Sequence, residues 1–206
     1  MIAGLVLAGG AARRMGGADK LALPVDGVPM LDRVLAAARP LCGVLVAVGP
    51  PRPTSVPGVR FAAEATPGGG PVPAIAAGLA LVPTAEVVLV LAGDLPWLTP
   101  ADLGLLLSCV SAGAAAAVGV DGDQRPVPLL VAYRRAVLAG RLVLLGPNLT
   151  GLPAHRLLPE DATVVALGAR ATANVNTPED LLIARRGPTA GRPASPRHVP
   201  EQPRRE

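Results

Sequence analysis

Three uninterrupted apolar runs constrain this chain more than any other feature. They are read as strands over Ile2–Leu7, Gly43–Val48 and Glu86–Ala92. None alternates polar with apolar residues, as a strand with one wet face would. Strands that are apolar throughout are buried on both faces, and such strands belong to parallel sheets covered by helices. Helical stretches fall between them. Pro29–Arg39 carries Met30, Leu31, Val34 and Leu35 on one side and stops at Pro40. Pro73–Leu81 is a second helix. Thr99-Pro100-Ala101-Asp102 opens a third, running to about Val110, with Thr99 as N-cap, Pro100 at N1 and an acid at N3. Shorter strands are expected at Val59–Ala62, Ala114–Val120 and Val127–Tyr133, with a short extended piece at Leu21–Pro24 and turns at Asp26-Gly27 and Asp121-Gly122-Asp123. Strands alternating with helices predict an α/β, three-layer fold with a mostly parallel sheet. Residues 134–172 show no clear period. Thr177, Pro178 and Asp180 then predict an N-capped last helix to about Arg186.

One domain over residues 1–186 fits a chain of 206 residues. Only Phe61, Trp97 and Tyr133 are aromatic, so Ala, Val and Leu must build the core. Residues 187–206 are rich in Pro, Gly and Arg with almost nothing to bury, and read as a disordered tail. That tail holds four Arg against two Glu, half of the formal net charge of +4. The remaining body is near neutral and poor in aromatics, which argues against broad nucleic-acid binding. No apolar run is long enough to span a membrane. Cys42 and Cys109 lie far apart in apolar surroundings and read as free thiols of a reducing cytoplasm, without metal-ligand spacing.

Ligands of parallel α/β sheets bind beyond the carboxyl ends of the strands. Three loops lie there: Gly9–Lys20, Glu64–Pro71 and Gly93–Pro96. The stretch from Leu7 to Lys20 holds four glycines, Arg13, Arg14 and the only lysine of the chain. Glycines let backbone N–H groups face an anion, and an ammonium serves as a point charge on phosphate. A P-loop is excluded because no Gly-Lys pair exists. A dinucleotide fingerprint is excluded because Gly9-Gly10 and Gly16-Gly17 have the wrong spacing. Asp94 ends the most β-like run, between Gly93 and Pro96. Thr99 already caps the following helix, so Asp94 reads as a Mg²⁺ ligand in nucleotide chemistry. Glu64 either holds a base or ribose edge or is a solvated loop acid. No Ser/His or Cys/His pairing suggests a covalent nucleophile, and His155 and His198 receive no role.

Together these segments resemble the MobA-like NTP transferases, the family that includes molybdenum cofactor guanylyltransferases. The resemblance rests on Leu7-Ala8-Gly9-Gly10 with Arg14, Met15, Gly16, Gly17, Asp19 and Lys20, on Gly70-Pro71, on Gly93-Asp94-Leu95-Pro96, and on Asn174-Val175-Asn176-Thr177-Pro178-Glu179-Asp180-Leu181. It spans residues 1–186 in order. It implies a Rossmann-like nucleotidyltransferase fold and transfer of NMP from an NTP, GTP in the first instance, onto the phosphate of molybdopterin, with Mg²⁺ required and pyrophosphate released. By position, Leu7, Ala8, Gly9 and Gly10 contact the nucleotide. Arg14 and Lys20 neutralise phosphate charge, Glu64 faces the nucleotide, Asp94 holds Mg²⁺, and Asn174 and Asn176 face the acceptor. The sequence departs from the family at Val72-Pro73-Ala74-Ile75, and at Arg125-Pro126-Val127-Pro128-Leu129 where a His/Gln-Pro-Leu or -Thr element is expected. Leu142–Gly151 also lacks the basic residues that would face an anionic pterin. Cytidylyl transfer, transfer to a phosphorylated sugar or small acid, and a nucleotide-binding module without turnover stay open, as does the oligomeric state.

Overall fold

The computed structural model describes residues 1–9, 19–64, 67–175 and 179–180. Gly10, Arg14, Asn176, Thr177 and the tail reading for 187–206 lie outside the described residues. The three apolar runs form adjacent central strands. β1 (Ile2–Leu7) pairs in parallel with β4 (Val44–Val48) on one side and β6 (Val87–Ala92) on the other. β5 (Val59–Ala62) continues beyond β4, also parallel. Strand order reverses at β1, the point where α/β sheets open a crevice for ligand.

Beyond β6 the sheet continues with β8 (Pro126–Arg134), β7 (Ala116–Val120) and β9 (Thr163–Ala166). β8 is antiparallel to both neighbours. The reason is local. Only residues 121–125 join β7 to β8, enough for a hairpin but not for a parallel crossover. Asp121 folds that turn by accepting from the N–H groups of Asp123 and Arg125, both at 2.9 Å. The seven-stranded sheet is therefore mostly parallel, as expected.

Strand alternation sends side chains to two separate cores, which makes three layers. Val6, Leu45, Leu89 and Leu91 meet α1 (Met30–Ala38) and α3 (Pro100–Ser111) through Leu35, Leu103 and Leu106. Leu5, Val46, Val88 and Val90 meet α2 (Pro71–Ala80) and α4 (Arg135–Leu144) through Ile75, Leu79 and Leu138. All of these are fully or almost fully buried, at roughly 1.5–3 kcal/mol for each large side chain.

Three local readings need correction. Leu21–Pro24 is not one extended piece. Lys20–Ala22 makes a 3₁₀ turn, because the Asp19 carboxylate accepts from the Leu21 N–H at 3.2 Å. The chain then forms a small hairpin of β2 (Pro24–Val25) and β3 (Val28–Pro29), closed by Asp26 and Gly27 at φ 50° and 78°. The second helix starts at Pro71, not Pro73. Proline at N1 and again at N3 is tolerated because first-turn N–H groups have no partner within the helix. Residues 134–172, unreadable in sequence, contain α4, a 3₁₀ turn at Ala154–Leu157 and β9. Of α4 only Leu138 is fully buried, while Val143 and Leu144 are exposed, so no apolar stripe marks it. β9 is a largely exposed edge strand. Among the described residues no helix is long and apolar enough to cross a membrane.

Candidate active site

The carboxyl ends of β1 and β6 are flush, with Leu7 in register with Ala92. The loops leaving them share one cleft of about 620 Å³, within the range of a small-molecule site. Leu7, Ala8 and Gly9 line it from β1, Glu64 from the end of β5, and Gly93 and Asp94 from β6. Lys20 and Asp94 face each other in it. The Lys20 ammonium donates to Asp94 Oδ2 at 2.7 Å, and both side chains keep about a fifth of their surface exposed, 17% and 21%. Gly9, Lys20, Glu64 and Asp94, from the three strand-end loops, line this one cleft.

Close backbone approach explains one of the glycines. Gly93 donates its N–H to the Leu7 carbonyl at 3.0 Å, and a Cβ there would sit 2.8 Å from that same oxygen. Leu21, next to Lys20, fills the other side of Gly93, 3.0 Å from the Cβ position. Gly9 carries its Cα against Glu64, where a Cβ would meet Oε1 at 2.7 Å. Glu64 is half-buried, and its buried Oε2 has no hydrogen-bond partner among the described residues. A carboxylate only accepts hydrogen bonds, so this oxygen is set for a donor that the described residues do not supply.

Asn174 is exposed, but its neighbour is fixed to the site: the Val175 N–H donates to the Asp94 carbonyl at 3.1 Å. Leu129, from the segment that departs from the family pattern, lines the cleft from β8. The N-terminal end of α2 reaches it through Gly70, Pro71 and Ala74, adding the partial positive charge of a helix start.

Sequence reasoning gave no role to Asp19, although it stands in the family motif, and did not single out Arg52; both line the cleft. Arg52 donates from Nε to Asp19 Oδ2 at 2.8 Å and from Nη1 to the Ala8 carbonyl at 2.7 Å. It sits in the Pro-rich loop after β4, itself a strand carboxyl end, and that position is the signal by which it could have been found. Two supports lie behind the cleft. Asp32 on α1 is buried and accepts from the Thr54 hydroxyl at 2.6 Å and from the Ser55 hydroxyl and N–H at 2.7 and 2.9 Å. Burial pushes its pKa up, but the hydrogen bonds from Ser55 and Thr54 outweigh this and leave it below the ordinary carboxylate value. Arg33 donates to the Pro96 carbonyl at 2.7 Å and to the Val25 carbonyl at 3.1 Å, fastening the Asp94 turn to the β2–β3 hairpin.

Mg²⁺ is the metal that the family resemblance implies. No group of three or more His, Cys, Asp or Glu side chains among the described residues could hold an ion unaided. A lone carboxylate nevertheless fits Mg²⁺ that arrives with a nucleotide, since phosphate oxygens and water complete its octahedron. Asp94, partly exposed in the cleft, is placed for that.

Fold and cleft together define an α/β nucleotidyltransferase. Solved structures agree on the fold. The chain superposes on molybdopterin-guanine dinucleotide biosynthesis protein A of Archaeoglobus fulgidus with a TM-score of 0.65 at 24% identity, covering 89% of this chain and 97% of that one. It superposes equally on 4-diphosphocytidyl-2C-methyl-D-erythritol synthase of Anaerococcus prevotii, with a TM-score of 0.67 at 15% identity over 90% and 97%. The sequence is more specific. Residues 4–158 match the MobA-like NTP transferase domain. A probable molybdenum cofactor guanylyltransferase of Chloroflexus aggregans is 31% identical over 195 residues, 89% of this chain and 93% of that protein. The chain belongs to the MobA-like NTP transferase family.

Proposed function

We propose that this nucleotidyltransferase moves GMP from GTP onto the terminal phosphate of molybdopterin or its metallated form. The observation that carries the chemistry is the meeting of Lys20 and Asp94 at 2.7 Å in a cleft lined by Leu7, Ala8 and Gly9. An acceptor phosphate oxygen bonds to the α-phosphorus, the bond from that phosphorus to the bridging oxygen breaks, and pyrophosphate leaves. Such a transfer needs positioning and charge neutralisation, not a protein nucleophile. Mg²⁺ bound at Asp94 would supply charge neutralisation on the phosphates. Lys20 turns its ammonium from Asp94 to the phosphates, and the family resemblance gives Arg14 the same charge-neutralising task. Glu64 accepts from the donor-bearing edge of the nucleoside, a ribose hydroxyl or the guanine N1–H and amino group. By the family resemblance, Asn174 and Asn176 are the residues that serve the acceptor. Guanine and the pterin acceptor rest on the relatives' names, and a cytoplasmic setting on the two free thiols.

Cytidylyl transfer is the second reading, since the 4-diphosphocytidyl-2C-methyl-D-erythritol synthase of Anaerococcus prevotii shares the fold as closely. Thermal unfolding with GTP, CTP, ATP and UTP, each with and without Mg²⁺, separates the two. Mg²⁺-dependent stabilisation by GTP above the others, followed by pyrophosphate release on adding molybdopterin, is the expected result. Stabilisation by CTP above GTP would reassign the base. No Mg²⁺-dependent response to any NTP would remove the reading.

A further inference from the structure

Residues 8 and 19 stand at either end of the Gly-rich stretch, and Arg52 grips both. Its Nε donates to Asp19 Oδ2 at 2.8 Å and its Nη1 to the Ala8 carbonyl at 2.7 Å. Asp19 is held from its second oxygen as well, because Oδ1 accepts from the Leu21 N–H. Lys20 lies between Asp19 and Leu21, and its ammonium reaches Asp94 across the cleft. We propose that Arg52 is a positioning residue for the transfer: through Asp19 it fixes where the Lys20 ammonium stands over the reacting phosphate. The proposal rests on the reading of Lys20 as the group that neutralises phosphate charge.

Three features support a positioning role. First, two of the three guanidinium nitrogens are committed to protein, one to a carboxylate and one to a carbonyl. Only the planar fork of arginine serves both at once; a lysine in its place provides one point contact. Second, the side chain is mostly enclosed, 13% exposed against 44% for Asp19, so its place is set by the protein and not by solvent. Third, the loop that carries it is braced. Pro50, Pro51, Pro53 and Pro57 restrict its backbone, and Asp32 holds it from α1 by three hydrogen bonds to Thr54 and Ser55. A continuous run of contacts therefore joins a buried carboxylate on α1 to the ammonium in the cleft. Displacing a reacting group by about 1 Å costs on the order of 10²-fold in rate, so such bracing acts on turnover more than on affinity.

The test uses the full chain with Arg52→Gln and Arg52→Lys. Arg52→Gln is expected to lower kcat for pyrophosphate release by roughly tenfold or more with KM for the NTP changed by less than about threefold, and Arg52→Lys to fall between it and wild type. A second readout needs no substrate. Lys20 is the only lysine, so reductive methylation resolved by mass spectrometry reports on Lys20 and the N-terminus alone. Lys20 of Arg52→Gln is expected to label several-fold faster than in wild type. An unchanged kcat, or an unchanged labelling rate, overturns the proposal. So does a raised KM with kcat intact, which assigns Arg52 to the nucleotide itself. Loss of cooperative unfolding in both variants also overturns it, since Arg52 then belongs to the fold. If wild type releases no pyrophosphate with any NTP, the proposed function fails, while the labelling comparison still decides whether Arg52 positions Lys20.

Discussion

Lys20 and Asp94, 74 residues apart in sequence, meet at 2.7 Å because their carriers are adjacent strand ends of one sheet. The contact joins a loop that leaves β1 to the turn that closes β6. It is mostly enclosed, with 17% and 21% of the two side chains exposed, so desolvation offsets much of the attraction and the net gain to folding is small, although removing one partner leaves the other charge unpaired. Its place at the cleft gives it consequence for chemistry instead. Lys20→Ala and Asp94→Asn should each lower pyrophosphate release by roughly 10²-fold or more, as removal of a charge-stabilising group does elsewhere. Both variants should still unfold cooperatively, with a stability loss of no more than a few kcal/mol. A collapse of the unfolding transition would show that the pair is structural.

Gly93 should resist substitution by alanine. The added Cβ would stand 2.8 Å from the Leu7 carbonyl, which is backbone and cannot swing aside. Forcing it in costs about 1–3 kcal/mol and pushes the ends of β1 and β6 apart. Chemical denaturation should show that loss, and turnover should fall further than stability alone explains, because Asp94 is the next residue.

Glu64 should show opposite effects on stability and binding. Its buried Oε2 has no partner among the described residues. Glu64→Gln removes a poorly solvated charge and should leave the free protein equally or more stable. Nucleotide affinity should fall by roughly tenfold, about the value of one hydrogen bond to a charged group. Isothermal titration and thermal unfolding of the same variant read both. Lower stability with intact affinity would place Glu64 in the fold.

Asp32 should give the protein an acid-sensitive brace. Its folded pKa lies below the ordinary 3.8. A depressed carboxylate contributes stability that is fully present above its unfolded pKa and is lost as pH falls through the folded one. The loss therefore falls below about pH 4. Asp32→Asn should flatten that acid limb in denaturant titrations and cost about 2 kcal/mol at neutral pH, since the Thr54 and Ser55 donors then face a weaker acceptor. An unaltered acid limb would contradict the assignment.

The α/β class, the apolar strands of the parallel half, the capped third helix and the three strand-end loops were legible because each is written locally. Continuous apolar runs report burial on both faces, and Thr99, Pro100 and Asp102 form within one turn the cap that the structure contains. Gly9, Lys20, Glu64 and Asp94 were legible as neighbours because strand polarity alone places them at one edge of the sheet. α4 and β9 were not, since neither has a strongly buried face to leave a period in the sequence.

The amino-acid sequence by itself determined the layers, the strand ends and the residue types available for phosphate chemistry. Only the tertiary structure decided which polar groups hold them in place. Arg52 reaches Asp19 across 33 residues, Arg33 reaches Pro96 across 63, and Asp32 reaches Ser55 across 23. The physical reason is that hydrogen bonds are short-ranged and directional. Burial follows from the residue's own chemistry, but a donor's partner is fixed only when the folded chain brings one within about 3 Å.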